Sequence, residues 1–118
     1  CIVLVGIPCS GKSTFSKTLI ERDASWRHVN QDELKTRKHC KAAIERALDC
    51  GMNLIIDRYV ITRYTYHLLN KMSVQLQQDV PQRKGWIDEV RKYGVHSVYA
   101  VFLDVDPSVC KTRVMKRQ

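Results

Sequence analysis

Apolar positions along this chain fall into short continuous runs that are separated by stretches with helical spacing. Residues 2–5 form an apolar run that ends at a glycine, which is typical of a buried central strand. The segment "NLIID" at 53–57 has the same character, and a further run covers 96–103. We predict strands in these three places and a weaker, shorter strand over 28–30.

Helical patterns follow each of these runs. We predict helices over residues 11–22, 32–49 and 85–94, and a last helix from Pro107 onward, because proline suits the first turn of a helix. Gly51 supplies a stop signal after the second helix. Strands that alternate with helices predict an α/β fold, arranged as three layers around a mainly parallel sheet.

One segment fits neither pattern. Residues 59–81 carry mixed strand and helix signals and exceed the usual length of a connection, so we treat them as an insertion of uncertain structure with a possible short helix over 65–76. The length of 118 residues allows a single domain. The chain opens inside an apolar run and closes in a helical pattern, so we expect an excerpt, truncated at its C-terminus, from a protein with flanking domains.

Composition narrows the class of protein. The hydrophobic fraction of 44% and the charged fraction of 27% are ordinary for a globular domain, and no apolar run reaches the roughly 18 residues of a membrane span. Five cysteines without a CxxC pair argue against a zinc site and a disulfide framework, and the four histidines lack metal-ligand spacing. We therefore expect no membrane contact, thiols in a reducing compartment, and an intracellular protein of the nucleus or cytoplasm.

Positive charge is in excess. The net charge is +8, with 20 Lys and Arg against 12 Asp and Glu. Such an excess suits nucleotides or nucleic acid, and a solvated basic surface would explain it as well. Part of the charge lies in the clusters "KTRKHCK" and "CKTRVMKR", which could serve phosphates.

A phosphate-binding signature follows the first predicted strand. The segment "GIPCSGKST" matches G-x-x-x-x-G-K-[ST] at Gly6, Gly11, Lys12 and Ser13. Its glycines allow a tight turn whose N–H groups point at an anion, and the helix that follows aims its positive end at the same place. Lys12 would bridge the β- and γ-phosphates of ATP, Ser13 would bind Mg²⁺ through its hydroxyl, and Thr14 could reach the α-phosphate.

Two aspartates follow predicted strands further along the chain. Asp32 comes after the second strand and Asp57 closes the third, and the carboxyl ends of parallel strands meet at one edge of a sheet. Both should therefore face the phosphates. Asp32 could be the base that activates an attacking hydroxyl or a cap for the helix after it. Asp57 could be a Walker-B-type magnesium ligand or could organise a second substrate.

At these residues the chain resembles the polynucleotide 5′-hydroxyl kinase branch of P-loop kinases, whose AAA-type module is also found fused to aprataxin-like repair proteins. The family's G-x-P-x-S-G-K-S-T is matched at Gly6, Pro8, Ser10, Gly11, Lys12, Ser13 and Thr14. Its N-x-D is matched at Asn30 and Asp32, and its strand-ending aspartate at Asp57. The resemblance implies a partial P-loop kinase domain over 1–118 that uses ATP and Mg²⁺ to phosphorylate the 5′-hydroxyl end of DNA or RNA.

The resemblance also implies a role for each site residue. Asp32 would act as general base, with Lys12 and Arg117 as further catalytic groups. Arg113 and Arg117 would clamp the donor phosphates, although two arginines at i, i+4 on a helix could also form a solvated face. The acceptor would be bound by Lys35, Asp57 and Arg58. Cys9 would be a small residue tolerated in the loop, with a redox switch as the alternative.

Two differences from the family pattern are visible. Gln31 stands where many members carry arginine, and "DRYVITRY" replaces the short asparagine-containing loop that usually follows the third-strand aspartate. Two other functions remain open: a small-molecule kinase of the gluconate or nucleotide-kinase type, and a non-catalytic module that binds nucleotide or nucleic acid.

Overall fold

Four strands form one parallel sheet in the part of the chain that is described. A computed structural model describes residues 1–57 and 72–116, with the side chains of 31, 32, 72–80 and 82 left out. The strands are β1 (Ile2–Val5), β2 (Trp26–Asn30), β3 (Asn53–Asp57) and β4 (Tyr99–Phe102). Their order across the sheet is β2–β3–β1–β4, and every pairing is parallel. The predicted α/β fold with a parallel sheet is confirmed.

Helices connect the strands. They are α1 (Lys12–Arg22), α2 (Gln31–Leu34), α3 (Arg37–Asp49), α4 (Met72–Lys92) and α5 (Pro107–Met115). Side-chain caps start two of them: the Thr36 hydroxyl accepts from His39 N at 3.2 Å before α3, and Asp106 Oδ1 accepts from Ser108 N at 2.8 Å before α5. Gly51, with φ of +69°, follows the end of α3 as predicted.

Four predicted boundaries were wrong. The strand expected over 28–30 begins at Trp26, because pairing with β3 starts there. The helix expected over 32–49 is two helices, because Lys35 has φ of +63°, which no α-helix continues through, and the extended Thr36 then starts α3. The helix expected over 85–94 begins at Met72 and passes through Pro81, so residues 72–81 of the expected insertion have helical backbone. The strand expected over 96–103 is limited to Tyr99–Phe102, where pairing with β1 occurs. Residues 59–71 of the insertion lie outside the described residues.

The core lies between one face of the sheet and the helices α3 and α4. It contains side chains from three strands and these two helices: Val3, Val29, Leu54, Ile56, Cys40, Ile44, Ala47, Trp86 and Val90. Burying each large aliphatic side chain of this kind contributes about 1.5–3 kcal/mol. Helix α1 contacts β2 and β3 but adds no side chain to the cluster, which is consistent with a layer on the opposite face. Among the described helices, none is both long enough and apolar enough to cross a membrane.

A buried carboxylate joins α3 to α4. Glu89 is only 6% exposed, and its Oε2 lies 3.1 Å from Lys41 Nζ on α3 and 3.3 Å from Lys92 Nζ on its own helix. Burial raises the pKa of Glu89, but hydrogen bonds and Coulomb attraction from the two lysines outweigh it, so the pKa lies below its ordinary value. One turn earlier, the Arg37 guanidinium lies 5.3 Å from the centre of the Trp86 ring. These contacts fix the two helices against each other beside the core.

Replacing this carboxylate tests its contribution. We expect Glu89→Gln to lower the free energy of unfolding by about 1 kcal/mol at neutral pH, because two partly solvated lysines lose their common partner. Because the pKa of Glu89 is lower in the folded state, its ionised form stabilises the fold at pH values above the ordinary pKa of 4.5. This stabilisation is lost as the pH falls through the folded pKa. Urea unfolding of wild type and variant should therefore converge in acid.

The matched control is Asp88→Asn, which neutralises an exposed carboxylate on the same helix. We expect that change to stay within about 0.5 kcal/mol at either pH. If Glu89→Gln lowers the free energy of unfolding as much in acid as at neutral pH, the ion-pair explanation would be contradicted. Such a result would indicate a contribution from side-chain packing instead.

Candidate functional site

The parallel sheet brings the predicted site segments to one edge. The loop at 6–11 follows β1, helix α2 follows β2, and β3 ends at Asp57. In the β2–β3 register, Asn30 is paired directly with Asp57. Because every strand runs in the same direction, the segments after the strands lie at the carboxyl edge of the sheet, where ligands bind in open α/β sheets.

The loop after β1 is tightly packed at its first glycine. A Cβ added at Gly6 would lie 2.6 Å from Ser10 Oγ and 3.1 Å from the carbonyl oxygen of Leu103, so only glycine fits there. Gly11, with φ of +104°, turns the chain into α1. Cys9 also has a left-handed backbone, with φ of +62°, and its side chain is buried. The loop is thus a closed turn whose shape depends on two glycines and one non-glycine residue in an unfavourable conformation.

The end of this loop has the features of an anion site. Helix α1 begins with no side-chain cap and no acidic residue in its first turn, so a phosphate can take the amides that a cap would otherwise satisfy. Ser13 and Thr14 are exposed in that turn. Ser10 Oγ is buried and has no hydrogen-bond partner among the described atoms. These groups fit the phosphates of a nucleotide.

Lys12 is buried against the loop that it follows. It is 5% exposed, and its Nζ donates to the carbonyl oxygens of Gly6 at 2.8 Å and Ile7 at 3.0 Å. These bonds place the ammonium across the start of the loop. A cation held there can bind the outer phosphates of a nucleotide after a small side-chain movement.

Helix α5 rests on the same loop. Arg113 Nη1 donates to the carbonyl oxygen of Cys9 at 3.0 Å, across 104 positions of sequence. One turn before it, Cys110 is fully buried, and burial raises the pKa of its thiol although Arg113 and Lys12 act in the opposite direction. The structure therefore brings Arg113, expected from the sequence to contact donor phosphates, directly to the loop.

Asp57 has a partner that the sequence did not predict. Its side chain is 1% exposed; Oδ2 lies 3.4 Å from His28 Nε2, and Oδ1 is buried without a partner in the described structure. The spacing of the four histidines gave His28 no metal-binding role and did not predict this contact. Strand alternation offered a signal, because His28 shares a sheet face with Asn30, and parallel β2–β3 pairing brings that face beside Asp57.

The structure describes less of the other residues that were predicted for the site. Asp32 is the second residue of α2, and Thr36, not Asp32, caps the longer helix α3; the Asp32 side chain is not described. Lys35 is exposed directly after α2. Arg58 and Arg117 lie outside the described residues. In the part of the chain that is described, no group of three or more His, Cys, Asp or Glu could hold a metal by itself.

The crowding at Gly6 gives a test of the loop geometry. We expect Gly6→Ala to lower the free energy of unfolding by about 1–3 kcal/mol, because the new methyl group meets a backbone carbonyl that cannot rotate away. Urea denaturation measures the change. As a control, Gly85→Ala places a methyl group 3.1 Å from the flexible end of Arg37 inside α4, where alanine favours the helix by about 1 kcal/mol.

The changes in the free energy of unfolding caused by Gly6→Ala and Gly85→Ala should therefore differ in sign or clearly in size. Equal destabilisation by both would contradict the packing described around Gly6.

Comparison with known proteins gives matches to one family and to two named relatives. A family profile described as "AAA domain" matches residues 1–118. The chain is 42% identical over 73 residues to "Putative bifunctional polynucleotide phosphatase/kinase" of Acanthamoeba polyphaga mimivirus, which covers 59% of this chain and 17% of that protein. It is 36% identical over 95 residues to "Bifunctional polynucleotide phosphatase/kinase" of Schizosaccharomyces pombe, which covers 80% of this chain and 19% of that protein.

These matches agree with the resemblance found in the sequence, and the family match covers every segment that forms the site. The chain spans less than a fifth of the length of either relative, at 17% and 19%. The similarity therefore concerns one portion of larger proteins.

Proposed function

The chain belongs to the AAA domain family and to its kinase-type members, and from this premise we propose that it transfers the γ-phosphoryl group of ATP to the 5′-hydroxyl end of DNA or RNA. The observation that carries the proposal is the shared carboxyl edge of the parallel sheet. The phosphate loop after β1, Asp32 after β2 and Asp57 at the end of β3 all lie there.

The donor side is formed by the loop and two cations. The backbone of residues 6–14, including Pro8 and Cys9, surrounds the phosphates of ATP. Lys12 stabilises the charge that develops between the β- and γ-phosphates, and Arg113, 3.0 Å from the Cys9 carbonyl oxygen, turns its guanidinium toward the same charge. The Ser13 hydroxyl would hold Mg²⁺, which would neutralise phosphate oxygens, and Thr14 would contact the α-phosphate.

The acceptor side is formed by residues that follow β2 and β3. Asp32 accepts the proton of the attacking hydroxyl, which requires a carboxylate within hydrogen-bond reach of it. Lys35, exposed beside α2, binds an acceptor phosphate. Asp57 orients the acceptor or the magnesium shell, with His28 Nε2 3.4 Å from its Oδ2. Arg58 and Arg117 complete the acceptor and donor contacts by the family resemblance.

Nucleic acid is the acceptor that the charge and the relatives favour. The chain carries a net charge of +8, which attracts a polyanion, and both relatives are named for polynucleotide phosphatase and kinase activities. We infer a role in nucleic-acid repair or processing from this acceptor, and the greater length of both relatives supports further domains in the protein.

Transfer of labelled γ-phosphate from ATP to 5′-hydroxyl oligonucleotides tests the proposal in the full-length protein. We expect Lys12→Ala to lower kcat about 10²–10³-fold, because it removes a preorganised charge from the transition state. Asp32→Asn should lower kcat about 10²–10⁴-fold, because it removes a general base, while ATP binding is retained. Lys17→Ala, which removes an exposed cation from α1, is the control and should retain activity.

Each contrary result has a definite meaning. ATP-dependent phosphorylation of a small alcohol such as gluconate, without transfer to oligonucleotides, would replace the nucleic-acid acceptor. ATP binding without transfer to any acceptor would indicate a non-catalytic binding module. Full activity in Asp32→Asn would exclude Asp32 as the base.

A further inference from the structure

A cavity of about 400 Å³ lies between α3 and β2, the outer strand of the described sheet. Leu34, Ala43 and Met52 are among the apolar residues of its floor, and Arg27 and Arg46 stand at its exposed rim. Its volume falls in the range of sites that hold one small organic ligand. No function described above uses this space.

The lining suits a ligand that has both an anionic group and an apolar part. Two arginines and His39 contribute to it, and none of its described lining residues is acidic. Among the described residues, neither Arg27 nor Arg46 forms an ion pair with a carboxylate. Within the described part of the chain, the hydrogen bond of the Arg46 side chain runs from Nε to the carbonyl oxygen of Ala42 at 3.4 Å.

The cavity begins beside the proposed acceptor site. Leu34 lines it and lies two residues after Asp32, in the same short helix α2. Arg27 lies three residues before Asn30 on β2, which corresponds to about 10 Å along the strand from the carboxyl edge. A ligand that extends from the acceptor site along β2 therefore reaches the arginines only after the length of a few nucleotides.

We propose that this cavity, the β2–α3 pocket, binds one nucleotide unit of the acceptor strand downstream of its 5′ end. The base packs on the apolar floor and against a guanidinium plane, and the phosphate lies between Arg27 and Arg46. Single-stranded nucleic acid is bound in this way, by stacking together with backbone charge. This inference rests on the proposed function, because it extends the same acceptor site.

The length of the acceptor oligonucleotide distinguishes an effect of this pocket from an effect of the catalytic site. In the full-length protein, kcat/KM should be measured on a 5′-hydroxyl dinucleotide and on a 5′-hydroxyl octanucleotide of the same type. We expect wild type to prefer the octanucleotide. Arg27→Ala/Arg46→Ala should lower kcat/KM roughly tenfold on the octanucleotide and leave the dinucleotide unchanged, because only the longer acceptor reaches the pocket.

Salt dependence gives a second readout of the same contacts. Each phosphate contact that is lost should reduce the slope of log affinity against log salt by about 0.7 for a single strand. Fluorescence anisotropy of a labelled octanucleotide measures this slope without turnover. Arg27→Lys/Arg46→Lys should retain most of the salt slope, while losing affinity that comes from the planar guanidinium.

The matched control removes the same charge elsewhere. Lys17→Ala/Arg91→Ala deletes two exposed cations, on α1 and α4, and should change neither the preference for length nor, beyond a small general effect of net charge, the affinity. Thermal unfolding of all variants shows whether the fold is retained, as expected for exposed positions.

The outcomes distinguish the two proposals. Equal loss on both acceptors, or octanucleotide activity and binding within twofold of wild type, would overturn the pocket and leave the kinase proposal intact. Absence of transfer to any acceptor by wild type would overturn the proposed function. In that case, weaker octanucleotide binding by Arg27→Ala/Arg46→Ala than by the control would still support the pocket, and equal binding would overturn it.

Discussion

The pairing of β1 with two parallel neighbours is the constraint on which the site depends. β1 is hydrogen-bonded to β3 on one side and to β4 on the other, and Val3 is paired with both Ile56 and Ala100. This register fixes where the phosphate loop leaves the sheet relative to Asp57 and Leu103. A shift of one residue would move the loop by about 3.3 Å along the strand direction relative to both neighbours, so the pairing that stabilises β1 also positions the loop.

Apolar packing and ion pairs stabilise the body of the sheet, and buried polar groups lie at its carboxyl edge. Away from the edge, apolar side chains and the Glu89 ion pairs hold α3 and α4 on the sheet. At the edge, polar groups are buried with few partners, as Asp57 and Ser10 show. Buried polar atoms that lack partners reduce stability, and such a concentration at one edge is typical of sites formed for ligands.

The sequence predicted the strands and the loop because their signals are local. An apolar run followed by glycine, and glycines at fixed spacing before a lysine, need no tertiary contact to be recognised. The break between α2 and α3 at Lys35 was not predicted, because no sequence pattern marks a lysine with positive φ. The contacts of His28 with Asp57 and of Arg113 with Cys9 were also not predicted, because both depend on how distant segments pair.

The position of β1 has a consequence for biosynthesis. β1 is made before the strands that it pairs with, which are residues 53–57 and 99–102, and the loop after it receives Arg113 from 104 positions away. At translation rates of about 5–20 residues per second, the loop waits roughly 5–20 s for that last contact. β1 lacks both neighbours until residues 53–57 are made and lacks one until residues 99–102 are made, so a ribosome stall between β3 and β4 would leave one edge of this apolar strand unpaired.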